Sequence, residues 1–445
     1  MAVGTRRLVG SAAIAALGSF LFGFDTAVIS GTTEALRLHF SLDSGQLGTT
    51  VASALVGTII GSLSAGPPAE RLGRRPILTG VALIYVVASL ASGLAWSWPA
   101  LVIARFLGGI GVGAASVVAP LYIAEISPPA IRGRLVALSQ FNVVAGILVA
   151  YLSNYVVAQL VGGPESLAWR YMLGIQVVPS ALFLLLITTI PESPRWLVKQ
   201  QRRDEAATIL REMGNAEPEA LVREIADSLH EESVSATESL FQAKYRKPIL
   251  LAVMVASFNQ LAGINALIYY TTDIFRMAGA ERTSALLQSV IIGLTNLVFT
   301  MIAMTVIDRY GRKRLLLIGA AGLAVCLGAA AWAFATGAGG AIVLASLIGY
   351  IAFFAFSQGS VIWVYISEIF PNRVRARGQA LGSFTHWFWA AVVGWTFPVI
   401  AEASGAAAFG FFAAMMVLQF VLVLLFLPET KGVSLEQIQR TLGIE

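Results

Sequence analysis

Charge is scarce in this sequence: of 445 residues only 12% are charged, 57% are hydrophobic, and the mean hydropathy is +0.77. A soluble domain carries about 25% charged and about 45–50% apolar residues. Most of this surface therefore cannot face water. There is a single cysteine, Cys326, and it lies inside an apolar run, so no disulfide or thiolate-metal framework is available. Of three histidines only His386 falls in such a run. No local Ser/His/Asp signature, zinc-ligand cluster or phosphate-cradling glycine loop is present, which argues against hydrolytic, metal-dependent and nucleotide-binding enzymes. The net charge of +5 is small, and no nucleic-acid partner is expected.

Long apolar runs are what the sequence has instead. They fall near residues 9–31, 47–69, 76–96, 100–124, 135–159 and 168–190, and again near 248–275, 284–307, 314–336, 341–366, 378–401 and 406–427. Each is close to the ~20 residues a helix needs to cross a hydrocarbon core, so an all-α protein of twelve membrane-spanning helices in a lipid bilayer is expected. The first run follows Arg6 and Arg7 but is too long for a leader core, carries Asp25, and shows no small-residue cleavage pattern. It reads as a span. Glycine is abundant, at 42 residues, and Gly57/Gly61 and Gly109/Gly113 have the spacing of close helix packing.

Residues 191–247 break the pattern with nine Lys/Arg and eleven Asp/Glu. Within them 203–213 and 219–231 show apolar residues at helical spacing between charges, the mark of amphipathic surface helices. The expected organisation is a six-span bundle at 1–190, a polar helical segment at 191–247, a second six-span bundle at 248–430 and a short tail at 431–445. With the N-terminus inside, 25 of 30 Lys/Arg fall on the inner side; Arg37, Arg170, Arg276 and Arg282 fall outside and Arg105 within the fourth run. That bias puts both termini in the cytoplasm.

The two halves repeat. Glu70-Arg-Leu-Gly-Arg-Arg75 is echoed by Asp308-Arg-Tyr-Gly-Arg-Lys313, Leu121–Pro128 by Val364–Pro371, and Pro191-Glu-Ser193 by Pro428-Glu-Thr430. The offsets are 238, 243 and 237 residues. Three motifs in one order at one spacing make a parallel duplication, a pattern of transporters whose halves rock about a central site. Together with Arg132-Gly133, Arg377-Gly378, Pro191–Arg195 and Gln260-Leu-Ala-Gly-Ile-Asn265, these motifs closely resemble the sugar porter family of the major facilitator superfamily, over essentially the whole chain.

The resemblance implies a latch at the cytoplasmic helix ends formed by Glu70, Arg74, Glu125, Arg132, Glu192, Asp308, Arg312, Glu368, Arg377 and Glu429. Arginine–carboxylate pairs between neighbouring helix ends supply the physical reason, although arginines there also satisfy the positive-inside rule alone. Asp25 and Arg105 each lie about six residues from the outer end of their span, hence ~9 Å below the boundary. Opposite charges at one depth should pair. Such a pair is either purely structural or, if Asp25 takes up a proton, a switch that releases Arg105. In the family an acid here implies proton symport and a neutral residue uniport.

A sugar presents hydroxyls that donate and accept, plus apolar C–H faces. Carboxamides and aromatic rings meet both. Gln140, Asn259, Gln260, Asn265 and Asn296, with Trp363, His386 and Trp387, match the family's sugar-contacting positions; taken singly, buried amides more often join helices. The sequence departs from the family where two adjacent glutamines are usual but Asn259-Gln260 stands, and where prolines are usual but Gly359-Ser360 stands. It departs again at His386, in place of an amide before Trp387; that ring serves a sugar hydroxyl, a structural bond or proton transfer. Tyr269 and Tyr270 resemble an outer gate, or else interfacial packing. The expected function is symport of a monosaccharide with a proton across the bacterial inner membrane by a monomer that needs no cofactor. A facilitated sugar or polyol uniporter is the alternative. A multidrug carrier would want a more apolar and charged site, and a sugar sensor a longer tail than the fifteen residues after Thr430.

Overall fold

The computed structural model describes residues 3–162, 167–234, 238–371, 373–433 and 435–444. Among them there are helices and no strands. Twelve helical stretches are long and apolar enough to cross a membrane: Gly4–Gly31, Ser44–Ser64, Arg74–Gly93, Trp98–Ile126, Ile131–Val161, Ala168–Ile187, Ala243–Met277, Arg282–Ile307, Arg312–Thr336, Gly340–Ile369, Arg375–Ala403 and Gly405–Phe426. In chain order they are spans one to twelve. Their ends differ from the sequence expectation by at most five residues, as at Gly4 against 9 and Ser64 against 69. Apolar run length alone decides this, because a helix satisfies its own backbone where lipid cannot.

The described residues gather into two compact units. The first comprises Met1–Thr26, Val56–Ala150 and Arg170–Ala236; the second comprises Ala27–Leu55, Tyr151–Trp169 and Thr237–Glu445. In the first unit, the polar segment forms helices Pro194–Lys199, Arg203–Glu212 and Pro218–Val234. They share a core of Trp196, Leu197, Val198, Ala206, Ala207, Leu210 and Val222. The amphipathic spacing of the two longer helices is what builds it.

Glycines let spans of the first unit touch backbone to backbone. A Cβ on Gly57 would lie 2.2 Å from the Phe106 carbonyl oxygen, and one on Gly113 2.1 Å from that of Thr58. Spans two and four thus cross where both sequences offer small residues. Spans one and five do the same at Gly23 and Gly146, where a Cβ would meet the Val143 and Phe20 carbonyls at 1.9 and 2.1 Å.

Three interruptions bend the helices of the second unit. Span seven turns at Gly263, whose φ of +87° suits glycine, and bends again at Tyr270 (φ −121°, ψ 22°). Span ten is divided into Gly340–Phe356 and Gln358–Ile369 by Ser357, at φ −123° and ψ −82°. The family's prolines are missing there, yet the helix is broken.

Gly113→Ala must displace backbone, so we expect it to lower the thermal midpoint of the purified protein by an amount equivalent to about 1–3 kcal/mol. Gly80→Ala, with nothing described within 4 Å of the new Cβ, should leave the midpoint unchanged or raise it. Equal midpoints for the two variants in a melting assay would refute the backbone-contact account.

Candidate transport site

Asp25 and Arg105 meet inside the first unit. The Arg105 guanidinium donates from Nη1 to Asp25 Oδ1 at 2.8 Å and from Nη2 to the Asp25 carbonyl at 3.3 Å. Their side chains are 3% exposed for Arg105 and 7% for Asp25. Among the described residues Arg105 Nε has no acceptor, and the buried Tyr85 hydroxyl has no partner. The pair is therefore buried and, among the described residues, Arg105 is not fully paired. One carboxylate serves a guanidinium that could bind more, so a second acceptor could draw Arg105 away.

A denser cluster sits at the end of the first unit that carries the arginine motifs. Arg74 grips Glu125 with two parallel bonds, Nε to Oε2 at 2.9 Å and Nη2 to Oε1 at 2.8 Å, and donates from Nη1 to the Ala69 carbonyl at 2.9 Å. Glu192 caps the start of span three by accepting the backbone N–H groups of Arg74 (3.0 Å) and Arg75 (3.2 Å), and that of Ser193 (2.7 Å). A helix N-terminus leaves such donors unpaired and favours negative charge. Burial nonetheless pushes the Glu192 carboxyl above its usual range, the three N–H bonds offsetting it only in part. Gly73, at φ +105°, makes the fit possible, since a Cβ there would lie 2.3 Å from Glu192 Oε2.

The second unit builds the same cap again. Arg312 Nη2 donates to Glu368 Oε1 at 2.8 Å, and Glu429 accepts the N–H groups of Arg312 (2.9 Å) and Lys313 (3.2 Å). Gly311, at φ +87°, stands where Gly73 does. In both copies a hydroxyl after the capping glutamate reaches the paired carboxylate: Ser193 to Glu125 at 2.5 Å and Thr430 to Glu368 at 2.6 Å. Sequence reasoning missed those hydroxyls, although Ser193 and Thr430 stand at one place in the repeated motif.

Other expected latch residues are placed differently. Glu70 pairs with Lys199, which holds its carboxyl below the usual range. Arg132 is exposed and donates to the Ser127 carbonyl, and Arg377 donates to the Glu238 carbonyl. The Asp308 side chain lies outside the described residues.

The amides of span seven form one chain in the second unit. Asn265 Nδ2 donates to Gln260 Oε1 at 2.7 Å, and Gln260 Nε2 donates to Asn259 Oδ1 at 2.9 Å. Asn259 Nδ2 donates to the Gln358 carbonyl at 3.2 Å. The His386 ring lies 3.1 Å from Gln260 Nε2 and 4.9 Å, centroid to centroid, from both Trp363 and Trp387. Trp363 is 39% exposed, whereas Trp387 is buried. Asn296 is buried on span eight, where Thr300 donates to it at 3.4 Å. Gln140 belongs to the first unit and is exposed on span five.

Tyr269 and Tyr270 are buried, and the Tyr270 hydroxyl donates to the Gly394 carbonyl at 2.9 Å. Around them the second unit carries a polar seam. Tyr151 donates to the Ile268 carbonyl at 2.8 Å, and Ser30 bonds Thr272 at 3.0 Å. Thr33 donates to Asp273 at 2.9 Å, and Arg276 pairs with Glu34 at 2.8 Å. Asp273 was not expected at a site, although an acid within an apolar run is the same signal that marks Asp25.

Glu125→Ala strands the Arg74 charge in a site where both side chains are 6% exposed. We expect a loss of about 3–5 kcal/mol, read as a lowered thermal midpoint. Glu70→Ala breaks a pair about half exposed and should cost about 1 kcal/mol or less. Similar midpoints for both variants would contradict this ranking.

Comparison with known proteins matches residues 11–442 to a family described as sugar (and other) transporter. The chain is 39% identical to a D-xylose-proton symporter of Escherichia coli, covering 96% of this chain and 94% of that one. It is 37% identical to an arabinose-proton symporter of Bacillus subtilis (96% and 93%) and 36% identical to a glucose transport protein of Synechocystis (95% and 95%). Among solved structures, the E. coli xylose transporter in a partially occluded, inward-open conformation superposes with a TM-score of 0.86 at 37% identity, over 96% of this chain and 100% of the other. The same symporter bound to 6-bromo-6-deoxy-D-glucose gives 0.81, over 98% and 99%. This chain is a multi-pass membrane protein of the sugar transporter family, with the major facilitator fold.

Proposed function

We propose that this protein carries a monosaccharide across the bacterial inner membrane together with a proton. Both termini lie in the cytoplasm, and the working unit is a monomer with no cofactor beyond the coupling ion. The observation that carries the reading is the buried Asp25–Arg105 pair, in a chain whose relatives include two sugar-proton symporters. Family membership makes the cargo a sugar, and the carboxamide chain beside Trp363 and His386 suits one. The amides offer donors and acceptors to hydroxyls, and the exposed indole covers a C–H face.

The pair supplies the coupling. Asp25 is the acid of span one and Arg105 its buried partner at 2.8 Å, so a proton taken up at this site would act on that contact. Protonation would leave Arg105 without its counter-charge and free to seek another acceptor, which links proton uptake to helix movement. One charge entering down ~100 mV is worth ~2.3 kcal/mol, enough for roughly fifty-fold accumulation of a neutral sugar. The capped arginine clusters act as latches at the cytoplasmic helix ends, and Tyr269 and Tyr270 belong to the outer gate. No bond in the sugar changes, so the protein is a carrier and not an enzyme.

Uptake of D-xylose, arabinose and glucose into proteoliposomes decides the matter. Wild-type protein should accumulate at least one of them above equilibrium when the outside is made acidic. Asp25→Asn should still equilibrate that sugar but not concentrate it. Accumulation by the variant equal to wild type removes the coupling role, and uptake indifferent to the pH gradient makes the protein a uniporter.

A further inference from the structure

Span ten breaks without a proline, and what holds the break reaches the candidate sugar site. Ser357 donates its hydroxyl to the Phe353 carbonyl at 2.6 Å, and Ser360 donates to that of Ala355 at 2.9 Å. The Phe353 carbonyl also accepts the Ser357 N–H at 3.2 Å, so Ser357 holds it twice. Gly319 of span nine admits the bend, since a Cβ there would fall 1.8 Å from Ser357 Oγ. The next residue, Gln358, joins Gln419 of span twelve in a closed amide pair. Gln358 Nε2 donates to Gln419 Oε1 at 2.5 Å, and Gln419 Nε2 donates to Gln358 Oε1 at 3.0 Å. Both residues are fully buried, at 0% and 1% exposure.

The backbone carbonyl of Gln358 can only accept, and that decides how every amide in the chain must point. It takes Asn259 Nδ2, which turns Asn259 Oδ1 towards Gln260. Gln260 must then offer its Nε2 to Asn259 and its Oε1 to Asn265. Asn265 is left with its Oδ1 as acceptor and its second Nδ2 hydrogen as donor, in an orientation fixed by the row, for whatever binds beside it. A carboxamide alone could face either way with little difference in shape. Fixed at one carbonyl, the row of three has a single polarity.

We infer that Gln358 and Gln419 are positioning residues for the sugar: their pair sets the Gln358 carbonyl, and through it the direction in which Asn259, Gln260 and Asn265 present donors and acceptors. Neither touches the ligand. The inference rests on the sugar-carrier reading and adds a requirement to it, that the bound sugar meet Asn265 in the one orientation the row fixes. A buried polar pair of this kind contributes less to stability than to uniqueness of arrangement, which is what a fixed polarity demands.

The double variant Gln358→Met/Gln419→Met tests it. Replacing both partners by apolar side chains of similar length leaves no orphaned amide and is close to neutral for folding. In proteoliposome uptake of D-xylose, arabinose and glucose, the half-saturation concentration of the transported sugar should rise about tenfold, with the maximal rate unchanged. Gln419→Asn, which withdraws the amide by one methylene, should shift it in the same direction by less, and carries the test should the double variant not fold. An unchanged half-saturation concentration in a folded variant overturns the inference, and so does a fall in maximal rate alone, which would mark the pair as a hinge element only. A wild type that takes up none of the three sugars overturns the sugar-carrier reading itself.

Discussion

A guanidinium does not give up its proton, so an arginine carried into an apolar bundle must bring a carboxylate with it. Much of the polar architecture here stems from that demand. Arg105 is answered by Asp25, Arg74 by Glu125 and Arg312 by Glu368. The three solutions are not alike. Arg74 makes a two-pronged contact and fills its third nitrogen from a carbonyl. Arg105 spends one nitrogen on the Asp25 carboxylate and one on its carbonyl, and leaves the third unfilled among the described residues. A site fully satisfied holds its geometry; one partly satisfied is closer to exchanging partners. By this measure Arg74 is the more firmly held of the two.

Duplication adds a second constraint, because each repeat must start its third helix at the same kind of cap. The helix dipole draws a carboxylate to the first N–H groups, and Glu192 and Glu429 both occupy that place. The carboxylate comes so close that only a glycine fits before the helix, and Gly73 and Gly311 both have positive φ. Yet the copies differ in tightness. The Arg74–Glu125 side chains are 6% exposed each, whereas Arg312 and Glu368 are 11% and 27% exposed. A wetter pair gains less from the same Coulomb attraction. The second cap should therefore be the easier of the two to disrupt.

The spans, the repeat and the charge pairs were legible in the sequence for a common reason: each is dictated by a strong, local or symmetric signal. A run of about twenty apolar residues has one solution in lipid, and acids and bases at matched depth must find each other. Amide contacts carry no such imperative. Gln358 and Gln419 lie in different spans, 61 residues apart, and nothing in either segment marks one as the other's partner. The break in span ten was equally hidden, because its usual proline is replaced by serine hydroxyls and an amide pair that only tertiary packing brings together. Asp273 was visible as an acid in an apolar run, but its partner Thr33 comes from a helix 240 residues away.

That seam differs in kind from the arginine caps, and the difference bears on movement. Tyr151, Ser30, Thr272 and Thr33 join the ends of first-repeat helices to span seven through single hydroxyl bonds. Each such bond is worth about 1 kcal/mol net, and a hydroxyl that loses its partner to water loses little. The buried charge pairs cost several times more to part. A carrier must open one face without unfolding the bundles behind it. At the seam the hydroxyl bonds stand beside the Arg276–Glu34 pair, 38% and 31% exposed, and both are contacts that water can replace, whereas the buried arginine–carboxylate pairs of the first unit are not.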